Sequence, residues 1–140
     1  MKKYDEENSF QRKFTKTLMI ISAIFLAFNA FGFSFFPNEI SVLLTKNDNH
    51  FFFLILQILG ALYLGFSILN WTAKASLIGG IYNKPILIGN LLHFFTASMT
   101  LIKLTFKAET NLQLIFSYTI IYSLFTLSFG YVFFTNPSLK

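Results

Sequence analysis

"TLMIISAIFLAFNAFGFSFF", residues 17–36, runs for twenty positions without one charged side chain. At 1.5 Å per residue, a helix of that length covers about 30 Å, the thickness of a bilayer's hydrocarbon layer. Three further apolar stretches of similar length follow: "FFFLILQILGALYLGFSILNW" at 51–71, a third at 85–104 with Lys103 near its end, and "LQLIFSYTIIYSLFTLSFGYVFF" at 112–134. Continuous apolarity over such lengths favours helices, since a barrel strand is about ten residues long and alternates. The expected fold is an all-α membrane protein, an antiparallel four-helix transmembrane bundle over 17–135. A basic segment, 1–16, precedes it and a short tail, 136–140, follows.

Composition supports this. Of 140 residues, 54% are hydrophobic and 12% charged, against about 25% charged in an ordinary soluble domain. Phenylalanine supplies 20 positions, more rings than a soluble fold of this size can hide. Cysteine is absent, which excludes disulfides, thiolate metal sites and thiol redox chemistry. The net charge of +5 does not gather into a folded basic face, so no nucleic-acid partner is expected.

Punctuation divides the spans. Pro37 closes the first, Asn47, Asp48 and Asn49 precede the second, and Pro85 suits the first turn of the third. "PNEISVLL" at 37–44 has the pattern of a short interfacial helix. Gly32-Phe33-Ser34 offers a small-residue cleavage site, but the preceding apolar run exceeds the ~7–15 residues of a signal core. Helix one is therefore expected to stay uncleaved.

Orientation follows from Lys and Arg. With the N-terminus inside, Lys2, Lys3, Arg12, Lys13, Lys16, Lys74, Lys84 and Lys140 face the cytoplasm, and Lys46, Lys103 and Lys107 face out. The positive-inside rule then puts both termini in the cytoplasm. Trp71 and Tyr82 fall at the inner interface. Trp71, Lys74 and Lys84 become candidates for contact with lipid head groups.

Depth along the helices sorts the polar residues of the spans. Asn29, Gln57 and Tyr118 share the outer half, and His93, Asn90 and Asn70 the inner. Packing is the simpler role for the outer set, because amides in hydrocarbon bond across helix seams for roughly 0.6–2 kcal/mol each. His93 is the better functional candidate, since an ionisable residue inside a membrane is rare and costly. Three roles stay open for it: structural hydrogen bonding, ligand contact with Asn90 and Asn70, and proton relay, in that order of weight.

The search for chemistry returns little. Asp5, Glu6, Glu7, Glu39, Asp48 and Glu109 all lie outside the spans, so paired carboxylates and an intramembrane ion-coupling acid are missing. No catalytic set, metal site or cofactor is expected. Haem between helices wants two axial histidines, and His50 sits at the outer edge. There is no P-loop or dinucleotide fingerprint.

Helix one ending in "FFPNEISVLL", then "LQILGALYLGFSILNW", a basic loop and a third helix, resembles the small four-helix bacterial membrane families of the DoxX-like type. The likeness covers about residues 17–105. It implies a four-helix bundle and brings no catalytic residues with it. The expected protein sits in a bacterial inner membrane among lipids. It binds a lipid-like or apolar small molecule without enzymatic action, or serves as an accessory subunit of a larger complex. Two alternatives stay open: a self-associating channel or transporter, and a membrane enzyme acting on a lipid or quinone through His93.

Overall fold

The computed structural model describes residues 2–45, 50–75, 83–107 and 111–135, with 2–8 and 45 described in backbone only. Among them are five helices and no strand: α1 (Lys2–Phe35), α2 (Pro37–Thr45), α3 (His50–Ala73), α4 (Lys84–Thr105) and α5 (Leu112–Thr135). Four of these are long and apolar enough to cross a membrane: the Ser9–Phe35 portion of α1, and all of α3, α4 and α5. Asn47, Asp48, Asn49, Tyr82 and the 136–140 tail lie outside the described residues.

Helix α1 is longer than its apolar run. It begins at Lys2 and continues for 34 residues, so residues 2–16 of the basic segment form its first four turns. That stretch holds no Gly or Pro, and its acids stand toward the positive end of the helix dipole. Pro37 ends α1 but also starts α2. Phe36 donates its N–H to the Gly32 carbonyl at 2.9 Å and accepts from the Ile40 N–H at 3.1 Å. Proline at the first helical position forgoes only a hydrogen bond that position would not make.

At the other end of the chain, Asn111 takes a left-handed φ of 55°, which Asn tolerates better than most residues. Its carbonyl accepts from the Ile115 N–H at 3.1 Å, opening α5. Pro85 sits in the first turn of α4, where the sequence puts it.

Packing divides the chain into two compact units, Met19–Ala73 and Met1–Leu18 with Lys74–Lys140. In the first, α3 buries Leu56, Gly60, Tyr63, Ser67, Asn70 and Ala73, a three-and-four spacing that keeps one seam facing a partner helix. α1 answers with Met19, Ser22, Ala23, Leu26, Asn29 and Ala30. A Cβ built on Gly60 would lie 3.1 Å from the Ala30 carbonyl oxygen, so the two backbones nearly touch. Ser67 meets Ala23, Tyr63 meets Phe33 and Gly60 meets Ser34. Each step back along α3 matches a step forward along α1, so the pair is antiparallel.

The second unit is built on α4 and α5. Phe94, wholly buried, stacks on Phe125 at 4.6 Å and on Phe129 at 5.4 Å. Thr126 bonds Ser98 at 3.4 Å, and Thr105 bonds Thr119 at 2.9 Å, which makes this pair antiparallel too. The first turns of α1 join its far end. Gln11 Nε2 donates to the Thr135 carbonyl at 3.3 Å, and the Phe14 ring meets Tyr131 edge-on at 5.7 Å.

Both units bury polar side chains among apolar ones and turn large apolar side chains outward. Ser22, Asn29, Asn70, Asn90 and Ser98 are buried, while Phe28, Leu62, Phe95 and Leu127 are exposed. Water would favour the reverse arrangement; lipid tails solvate such a surface. This is an integral membrane protein.

Candidate functional site

α4 carries the candidate site. Asn90 is fully buried and donates Nδ2 to the Ile86 carbonyl one turn back, at 2.9 Å. His93 follows three residues later, on a neighbouring part of the same face. Its half-buried ring lies edge-on to Phe94 at 5.0 Å and tilted against Tyr122 at 6.1 Å. Tyr122 in turn stacks on Tyr118 at 6.3 Å. The Nε2 of His93 is buried, and the ring is engaged on two sides by aromatic neighbours.

The other sequence candidates fall in different places. Asn70 is fully buried within Met19–Ala73 and gives Nδ2 to Ser22 Oγ at 3.0 Å. Ser22 passes its own proton to the Met19 carbonyl at 3.1 Å. Asn29 is buried and bonds the Phe25 carbonyl at 2.8 Å. Gln57, in the same unit, is exposed on α3, and no hydrogen bond joins it to Asn29. Tyr118 is half-buried on α5. Trp71 is exposed in the last turn of α3, Lys74 half-buried just beyond it, and Lys84 exposed at the start of α4.

Sequence reasoning passed over Ser22, Ser67, Ser98 and Phe94, which hold the seams. The signal for Ser67 was its spacing from Gly60, Tyr63 and Asn70. A shallow cleft of about 10 Å³, room for roughly one water, lies by Gln11, Thr15, Tyr131 and Thr135. Among the described residues, no three His, Asp or Glu side chains gather in a way that could hold a metal ion. The chain matches no protein-family model, no curated protein and no solved structure.

Proposed function

We propose that this membrane protein is a non-enzymatic binder of a lipid-like or apolar small molecule, or an accessory subunit that presents such a molecule to a larger complex. The observation carrying this reading is the His93 ring, set within a span between Phe94 and Tyr122 and one turn from the buried Asn90. Imidazole and phenol can hold a polar head by hydrogen bonds while the surrounding rings take its apolar body. The spans hold no carboxylate that would couple the imidazole to acid–base work.

The test is native mass spectrometry of the full chain released from mild detergent. The expected result is one discrete extra mass that His93→Ala loses and a substitution at exposed Leu127 keeps. Identical spectra for wild type and His93→Ala would remove the reading.

An antiparallel four-helix bundle with both termini cytoplasmic, in a bacterial inner membrane, completes the proposal. The Lys and Arg distribution supports it, as does the bond from Gln11 to Thr135, which joins the two ends of the chain. A DoxX-like affiliation belongs to it as well, resting on the Pro37 corner and the glycine-containing second span.

One face of α3 favours a second reading, a channel or transporter made by self-association. Gln57, Ala61 and Gly65 recur every four residues on its exposed side, and a Cβ built on Gly65 would meet nothing within 4 Å. Small residues let helices approach closely, and an amide in hydrocarbon gains most from a like amide opposite. Mass measurement in detergent decides: a dimer or higher oligomer that Gly65→Leu dissociates supports it, and a monomer ends it.

A further inference from the structure

The opening turns of α1 are two-faced. At 100° per residue, Gln11, Phe14, Thr15 and Leu18 fall within one arc of about 100°. Thr15 and Leu18 on that arc are buried, and Gln11 and Phe14 are fixed to Thr135 and Tyr131. Arg12, Lys13 and Lys16 fall in a second arc, also about 100° wide and roughly opposite. All three are exposed, and none makes an ion pair with a residue whose side chain is described. Packing on one side thus holds three cations in fixed array on the other.

Their height is set as well. Lys16 adjoins Thr17, where the uncharged run begins, and Arg12 stands about 8 Å above that edge. This is the level of lipid phosphates. Glu7 stands about 7.5 Å beyond Arg12 along the axis, and Asp5 and Glu6 farther still. With a Debye length of about 8 Å at physiological salt, their opposition is partly screened at Arg12 and more fully at Lys16.

We propose that Arg12, Lys13 and Lys16 form a docking face for anionic phospholipid head groups, held rigidly by the packing of the opposite face of α1 on the end of α5. Guanidinium takes phosphate oxygens in pairs, and the two ammonium groups add point charges beside it. Each such cation strengthens attachment to an anionic lipid surface about fivefold, so three together give on the order of a hundredfold. The face is separate from His93 and does not depend on what binds there.

The test uses the full chain in mild detergent with equimolar phosphatidylglycerol and phosphatidylcholine, counting retained lipids by native mass spectrometry. Wild type should retain phosphatidylglycerol in at least about tenfold preference, weakening as salt rises. The triple variant Arg12→Gln, Lys13→Gln, Lys16→Gln should retain both lipids alike. Lys103→Gln with Lys107→Gln, which removes charge at the other end of the hairpin, should keep the preference, and so should His93→Ala. Should the triple variant lose its helical circular dichroism, Lys13→Gln and Lys16→Gln singly should each lower the preference about fivefold. Unchanged preference in these variants would overturn the proposal, as would equal loss in the Lys103/Lys107 variant. Erasure of the preference by millimolar inorganic phosphate would make this a general anion site and overturn its assignment to lipid.

Discussion

Ser67 donates its hydroxyl proton to the backbone carbonyl of Ala23 at 2.8 Å, tying α3 to α1 across 44 residues of chain. The bond is possible because Gly60, two turns away on the same seam, brings the helices into backbone contact. A side chain as short as serine reaches a neighbouring main chain only at such separations.

Gly60 and Gly65 should therefore respond in opposite directions to alanine. A Cβ at Gly60 meets Ser34 Oγ at 2.5 Å and backbone atoms of Ala30 and Ser34 at 3.1 Å. The helices must part, at a cost of about 1–3 kcal/mol. At Gly65 there is open space, and alanine should stabilise the helix by up to about 1 kcal/mol. Denaturant titration in micelles reads both signs.

Asn70 and Ser22 form a buried side-chain pair, so their substitutions should not add. Each alanine variant should cost roughly 0.6–2 kcal/mol. The double variant should cost less than the sum, with a coupling of at least about 0.5 kcal/mol. Strict additivity in a double-mutant cycle would show that the bond contributes nothing.

Phe94 and His93 are adjacent in sequence but should separate stability from binding. Phe94→Ala removes the ring on which Tyr122, Phe125 and Phe129 converge, for a loss of about 3 kcal/mol or more. His93→Ala removes a half-buried ring at the edge of that cluster and should cost about 1 kcal/mol, the scale of one aromatic contact. Thermal unfolding of the two variants, set beside the bound mass, distinguishes these roles.

The edge-on contact between Phe14 and Tyr131 should protect the start of α1 from proteolysis. Phe14→Ala loses about 0.5–1.5 kcal/mol of ring interaction. Trypsin should then cut after Arg12, Lys13 or Lys16 several times faster, with the remaining spans intact. Equal cutting rates would mean that the contact does not hold these turns.

How much of this was legible in the sequence depends on direction. Along the helix axis it read well: α3, α4 and α5 begin and end within two residues of the expected spans, because hydrocarbon thickness dictates length. Around the axis it read poorly. Spans apolar on every side give little sign of which face is inward, so equal depth brought Asn29 and Gln57 together on paper. Only the angular position separates a buried Asn29 from an exposed Gln57. The polar opening of α1 was opaque for another reason. Charge marks where a chain leaves the membrane, and it does not say whether the helix stops there.

The corner at Phe36 and Pro37 is closed by main-chain bonds on both sides, from Phe36 to Gly32 and from Ile40 to Phe36. Between those bonds Pro37 carries no amide hydrogen, and the Asn38 and Glu39 amides, in the opening turn of α2, gain no such main-chain bond. Orphan amides of a helix start take water or another polar partner, so this break belongs where polar groups reach it, at the edge of the hydrocarbon. Deuterium should enter the Asn38 and Glu39 amides faster than those of Phe36 and Ile40.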